Sequence, residues 1–200
     1  MLLGPADPLP CSPRRILVTG CSGAGKTTLG RALAARSGIP YTDLDGLYHG
    51  PDWVPRPSFA ADVAALAARS EWITEFGYGK ARPQLLPRAE LLIWLDLPRW
   101  RVMTQIVPRT IRRRVGRVEL WNGNVEPPFR TLFTDEDHIL RWAWRTHGKW
   151  AVRVGQVRQT RPELPVVRLA SRREVDAWLR GPAYRLTSVG SDPTPGESGG

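Results

Sequence analysis

Lysine is nearly missing from this chain. Only Lys26, Lys80 and Lys149 stand among its 29 basic residues, the others being arginine. Cysteine is almost as scarce. Cys11 lies in a proline-rich lead and Cys21 inside a glycine-rich turn, and neither has a second Cys or a His at metal-ligand spacing. A disulfide framework and a zinc site are therefore excluded, and both thiols are expected to be free. No apolar run reaches the ~18 residues that a membrane-spanning helix needs. The opening MLLGPADPLPCSPRR has neither the basic start nor the apolar stretch of a secretory signal, so a cytoplasmic protein is expected. What the chain has in excess is positive charge, +10 over 200 residues. Such a surplus suits anionic ligands such as nucleotides, phosphorylated metabolites or nucleic acid. It is equally the mark of a genome rich in G and C.

Residues 1–13 hold four prolines and no periodicity, and are expected to be a flexible lead. The domain is expected over 14–180 and a disordered Gly/Pro/Ser-rich tail over 181–200. Short apolar, β-rich runs predict strands at Arg14–Gly20, Tyr41–Asp45, Glu71–Phe76, Leu91–Asp96 and Pro165–Ala170. Helical spacing fills Thr27–Ser37, stopped by Gly38, and Phe59–Arg69. Ser171 with Glu174 three residues on predicts a capping box and a helix to about Arg180. Strands alternating with helices imply an α/β fold with a parallel sheet wrapped on both faces. The alternation breaks between about 99 and 159, an Arg- and Trp-rich stretch expected to form a helical lid.

The strongest chemical signal is Gly20-Cys21-Ser22-Gly23-Ala24-Gly25-Lys26-Thr27, a full match to G-x-x-x-x-G-K-[ST] with a strand before it and a helix after it. Glycines let consecutive N–H groups turn inward onto phosphate oxygens, and the following helix adds the positive end of its dipole. Gly20, Ser22, Gly23, Ala24, Gly25, Lys26, Thr27 and Thr28 are the candidate ATP-phosphate ligands. Lys26 would reach the β- and γ-phosphates and the Thr27 hydroxyl would hold Mg²⁺.

Asp43 and Asp45 follow Lys26 by 17 and 19 residues, at the end of the second expected strand. Ligands of open α/β sheets bind beyond the carboxyl ends of strands. A carboxylate there holds Mg²⁺ through water, a metal role assigned to Asp43, or takes the proton of an attacking hydroxyl. Turn chemistry before Gly46 accounts for the same residues without a site. Asp96 suits a helix cap ahead of Pro98. After the third strand, Gly77 lets a loop approach a ligand, and Lys80 and Arg82 follow to meet an anionic acceptor. Of the lid arginines, Arg109, Arg113 and Arg145 are candidates to stabilise the charge of a migrating phosphoryl group; a solvated basic face accounts for most of the others. Pro108 is expected to interrupt or kink the lid helix. Trp142 and Trp144 beside Arg141 and Arg145 suit base stacking or plain core packing.

Taken together, several motifs resemble the adenylate-kinase-like P-loop proteins sometimes called DNA topology modulation proteins. They are the phosphate loop, Asp43-Leu44-Asp45, Trp72-Ile73-Thr74-Glu75, Leu95-Asp96-Leu97-Pro98, Trp121-Asn122-Gly123-Asn124-Val125-Glu126 and Trp142-Ala143-Trp144-Arg145-Thr146-His147. The resemblance covers about residues 14–180. It implies a three-layer P-loop fold with a five-stranded parallel sheet in the order 2-3-1-4-5 and a kinase-type lid. The Asp43/Asp45 spacing is also similar to shikimate-kinase-like enzymes, where such a pair serves Mg²⁺ and the acceptor. The chain departs from the subgroup after the third strand, where Glu75-Phe76-Gly77-Tyr78 replaces Asp-Gly-Asn-Tyr. The expected activity is transfer of the γ-phosphate of Mg-ATP to a small hydroxyl- or phosphate-bearing acceptor. The alternative is an ATP-binding regulator that contacts nucleic acid through its arginines.

The motif generates a first prediction. Calorimetry with Mg-ATP should give a binding isotherm that Lys26→Ala abolishes; equal heats for the two proteins would exclude a phosphate role for this loop.

Overall fold

The computed structural model describes residues 1–125, 127 and 139–186. Glu126, part of the expected lid and the tail beyond Leu186 lie outside the described residues. Six parallel strands form one sheet: β1 (Leu2–Leu3), β2 (Arg15–Gly20), β3 (Tyr41–Thr42), β4 (Trp72–Glu75), β5 (Leu91–Leu95) and β6 (Val166–Leu169). The helices are α1 (Lys26–Ser37), α2 (Leu44–Tyr48), α3 (Phe59–Ala68), α4 (Arg82–Leu85), α5 (Arg99–Val115), α6 (Ile139–Thr146), α7 (Lys149–Thr160) and α8 (Arg172–Arg180).

The sheet runs β3-β4-β2-β5-β6-β1. It therefore departs from the expected five-stranded order by a sixth strand at one edge. Leu2 and Leu3 pair with Val166 and Val167, and Leu9 is buried at 2 % exposure. The proline-rich lead, expected to be flexible, is thus tied down by ladder hydrogen bonds and apolar burial that no local periodicity announces.

Strands here have no polar face, because helices cover both sides. Ile16, Val18, Ile93 and Leu95 face one core cluster with Leu29 and Leu33 of α1, Val102 and Ile106 of α5, and Trp178 of α8. Leu17, Leu92 and Trp94, the intervening residues, face a second cluster with Val63 of α3, Leu85 of α4, and Val154 and Val157 of α7. The period-two alternation of strand side chains fills two cores from one apolar run.

Local chemistry sets the ends. α1 stops where Gly38 turns left-handed at φ 73° and donates its N–H to Ala34. β3 ends three residues earlier than the expected second strand, because the Asp43 carboxylate accepts the Asp45 N–H and caps α2. At α8, Ser171 Oγ accepts from the Glu174 N–H, while the Glu174 carboxylate reaches one residue further back, to the Ala170 N–H. Asp96 caps no helix. Its carboxylate pairs with Arg168, and α5 starts after Pro98 without a side-chain cap. Pro108 sits inside α5, which continues to Val115. The expected tail begins as a short 3-10 helix, Pro182–Leu186, that buries Ala183 and Leu186.

Gly30, in the middle of α1, is there for close approach. A Cβ at that position would stand 2.4 Å from the Tyr41 ring. Replacing a helical Gly by Ala ordinarily stabilises by about 1 kcal/mol. We expect Gly30→Ala to lower the melting temperature instead, since Tyr41 is held by the bond its hydroxyl donates to Glu75; a rise in melting temperature would contradict this packing.

Candidate functional site

The phosphate loop runs from the end of β2 to the first turn of α1. Gly20, Gly23 and Gly25 adopt φ values of 144°, 86° and 94°, and Gly25 N-caps α1. At Gly23 a second constraint joins the first, since a Cβ would lie 2.7 Å from Ile106. That contact reveals what the first part of the expected lid does: α5 packs directly on the loop. Cys21, a free buried thiol, ties α6 to the loop as well by donating to the Ala143 carbonyl at 3.2 Å. Burial pushes its thiol pKa up, with nearby Lys26 opposing. Ser22 and Ala24 complete the turn, and Thr28 faces outward on the first turn of α1.

Lys26 and Thr27 point at one carboxylate. Lys26 Nζ lies 3.5 Å from Glu75, the last residue of β4. Thr27 Oγ1 donates to Glu75 Oε1 at 2.8 Å, and the Tyr41 hydroxyl donates to the same oxygen at 3.1 Å. The ammonium and carboxylate side chains are only 12 % and 9 % exposed, so each relieves the cost of burying the other. Glu75 had no role in the reading from sequence. The one local sign was its position before a glycine-containing loop. Its partners lie 48 and 34 residues away in the chain.

The two aspartates differ. Asp43 accepts the Asp45 N–H at 3.0 Å and the Trp121 indole N–H at 3.0 Å. Asp45, in the first turn of α2 rather than at a strand end, accepts the Tyr78 hydroxyl at 2.5 Å. Burial, then Asp45 and Glu75, push the Asp43 carboxyl up to about 6. Burial and Glu75 raise Asp45, against Tyr78 and Lys26. The Tyr78 hydroxyl is also driven up, by burial and then by Asp45. Burial is thus the main reason both aspartates hold their protons more tightly, and the neighbouring carboxylates add to it.

A further segment, part of the motif resemblance but assigned no role there, covers this corner. The turn Trp121–Gly123 sits on α2: Asn122 donates to the carbonyls of Gly46 and His49, and Asn124 to that of Gly50. In return the Asn124 carboxamide oxygen accepts the Trp53 N–H. His49 meets Trp53 and Tyr78 edge-on and Trp121 at a tilt, and Trp53 meets Trp121 edge-on. The Asn-Gly pair at 122–123 marks a turn in the sequence, but nothing local says what that turn lands on.

Arg82, on α4, donates to the Gly77 carbonyl at 3.0 Å and lies over the Phe76 ring. Gly77 itself has open space where a side chain would stand. Arg109 and Arg113 are carried on α5, about one and two turns past Ile106, and Arg145 lies over Trp142 on α6. Trp142 and Trp144 are surface residues, exposed at 40 % and 55 %, and Arg99 stacks on Trp144. They are not the core aromatics that one reading of the sequence allowed.

The oxygen-rich donor set fits a hard divalent cation: a threonine hydroxyl beside carboxylates with surplus negative charge. Among the described residues no three His, Cys, Asp and Glu side chains are grouped so as to hold a metal by themselves. No helix among the described residues is long and apolar enough to cross a membrane.

No protein-family model and no curated protein matches the chain. Among solved structures it is similar to a gluconokinase from Sinorhizobium meliloti 1021, at 18 % identity and a TM-score of 0.49, over 88 % of this chain and 92 % of that one. A shikimate kinase from Bacteroides thetaiotaomicron aligns at 16 % identity and a TM-score of 0.44, over 84 % and 95 %. A sugar kinase from Janibacter sp. HTCC2649 aligns at 18 % and 0.41, over 88 % and 99 %. With identities under a fifth and scores under one half, the functional case rests on the site's own geometry.

The crowded carboxylates have a thermodynamic signature. Asp43 binds its proton more tightly folded (about 6) than at its ordinary value of 3.8. Folding is therefore favoured while the group is protonated in both states, and that advantage is lost as pH rises from about 4 through 6. Asp43→Asn removes the titration. Urea unfolding should show the variant gaining on the wild type across this window and levelling near pH 7, by at most about 3 kcal/mol at 1.36 kcal/mol per pKa unit, less whatever the altered Trp121 contact costs. A difference independent of pH would refute the raised pKa of Asp43.

Proposed function

We propose that the chain is an ATP- and Mg²⁺-dependent phosphotransferase acting on a small hydroxyl- or phosphate-bearing acceptor, a nucleotide or metabolite. One observation carries the reading: the ammonium and hydroxyl of a glycine-curved loop converge on one carboxylate, that of Glu75 at the end of the neighbouring strand β4. A loop of this shape satisfies a triphosphate with main-chain N–H groups, from Gly20 through Thr28, with Lys26 on its outer phosphates. Thr27 and Asp43 would hold Mg²⁺, which when bound offsets charge on the phosphates and draws the carboxylates out of mutual repulsion.

Bound nucleotide then competes with Glu75 for Lys26 and Thr27. Glu75 in the free protein occupies the groups that the β- and γ-phosphates need. Released by them, it faces the same corner as Asp43 and Asp45. Asp45 is the candidate base. Its buried carboxylate takes the proton from an acceptor hydroxyl whose oxygen bonds to the γ-phosphorus as the bond to the β–γ bridging oxygen breaks and ADP leaves. The raised pKa of Asp45 strengthens it as a base, and Tyr78 orients it. Gly77 and Arg82 border the acceptor's side, and Arg109, Arg113 and Arg145 supply charge to the migrating group if their helices close over it. A regulator that touches nucleic acid through its arginines is the weaker reading, because it leaves the carboxylates beside Lys26 without a task.

The test is ATP consumption against a panel of nucleosides, nucleotides and small polyols, with and without Mg²⁺. At least one acceptor should raise turnover above the basal rate. Asp45→Asn should cut that acceptor-dependent kcat by about 10²- to 10⁴-fold with nucleotide affinity changed only a few-fold. Turnover indifferent to every acceptor would remove the transferase reading.

A further inference from the structure

A second cleft opens on the α7 side of the sheet, one residue beyond Glu75. It has a volume of about 300 Å³ and is lined by Phe76, Arg82, Pro83 and Leu86 on one wall and by Arg153, Gln156 and Thr160 of α7 on the other. Its chemistry is lopsided. Two arginines line it and no carboxylate does. Neither Arg82 nor Arg153 has an acidic partner within ion-pair distance among the described residues. Several other half-buried arginines differ: Arg14, Arg15 and Arg161 are each paired with a glutamate and Arg56 with Asp62.

The two cations are held together by other means. Arg82 lies over the Phe76 ring at 5.4 Å and gives one N–H to the Gly77 carbonyl, but its Nε is buried with no acceptor. Arg153 lies over Trp150 at 4.7 Å. Aromatic faces and a single carbonyl hold the guanidinium planes without neutralising them. Burial and the repulsion of Arg153 together lower the Arg82 pKa, the electrostatic cost of two like charges that share a pocket without a counterion. Such an arrangement is unfavourable alone and favourable around an anion, which forked N–H groups from both walls would meet bidentately.

We propose that this cleft is an anion site, in which Arg82 and Arg153 clamp a carboxylate or phosphate group of a small ligand. The Phe76 floor and the Pro83 and Leu86 wall give the ligand's carbon skeleton an apolar surface, and Gln156 and Thr160 give its hydroxyls polar neighbours. Because Arg82 also holds Gly77, two residues from Glu75, the anion sits behind the loop that borders the carboxylate corner. The clamp would then grip the far end of the acceptor while its hydroxyl points at Asp45. That role rests on the phosphotransferase reading; the existence of the anion site does not.

The test separates the two. In a Lys26→Ala background, which removes the phosphate-loop contribution, calorimetry is run with inorganic phosphate, with tartrate and with uncharged erythritol. At least one anion should bind and erythritol should not. Adding Arg153→Gln should weaken the anion by about tenfold or more, the loss of one charge-assisted fork, and Arg153→Lys should recover part of it. Thermal melts confirm that each variant is folded. Which anion binds decides between a phosphate and a carboxylate ligand. Binding of neither anion, or affinity unchanged by Arg153→Gln, overturns the clamp whatever the ATP assays give. Anion binding without any acceptor-dependent turnover keeps the clamp and removes only its acceptor role.

Discussion

A buried ammonium needs a counter-charge, and in this protein Glu75 provides it for Lys26. The ion pair, with the Thr27 and Tyr41 hydroxyls on the same carboxylate, draws the start of α1, the end of β4 and β3 onto one point. None of these groups would be stable there alone, because a lone buried charge costs several kcal/mol. Together they make a polar knot at the carboxyl edge of a sheet that is apolar on both faces. Through this knot the edge could receive the ligand proposed for it. Groups that compensate one another can be re-partnered by a ligand of the right charge, whereas an apolar contact offers a phosphate nothing.

Sheet topology explains why the knot forms here. β4 lies between β2 and β3, so the phosphate loop after β2, Glu75 at the end of β4 and Asp43 after β3 emerge side by side on one edge. Parallel strands joined by helices on the faces deliver all their carboxyl ends to the same side. Asp45 reaches the cluster from the first turn of α2, because the Asp43 side chain caps that helix and turns the chain. A residue that would bind metal or acceptor thus also shapes the local backbone, and the site's geometry is partly the helix's own.

What the sequence made legible was what local chemistry decides. The glycine spacing of the loop, the apolar strand runs, the Gly38 stop and the Ser171 cap each depend on neighbours within a few residues, and each has its counterpart in the fold. What it hid depends on partners far along the chain. Glu75 reads as an ordinary strand residue until β4 is laid beside β2. Trp121, Asn122 and Asn124 read as a polar turn until they land on α2 and give Asp43 its indole donor. Asp96 satisfies every local rule for a cap, yet Arg168 across the sheet outbids the helix for it. The lead reads as disordered because a two-residue edge strand carries no period to detect, and Leu9 is buried by tertiary contacts alone.

The same logic bears on the arginine surplus. Composition alone presents the arginines as one basic mass, fit for any anion. Folding divides them by partner. Some are spent on glutamates at the sheet's amino edge, Arg14 with Glu71 and Arg15 with Glu90. Some lie flat on exposed tryptophans, as Arg99, Arg101 and Arg145 do. Arg82 and Arg153 share a cleft lined by no acid. A guanidinium's meaning therefore lies in what is withheld from it: where carboxylates are supplied it holds the fold, and where they are absent from a concave wall the missing charge defines the ligand. The carboxylate corner is the mirror image, short of cations by the same reckoning. A molecule that carries an anion at one end, with a hydroxyl to meet a metal-bound phosphate at the other, is complementary to both.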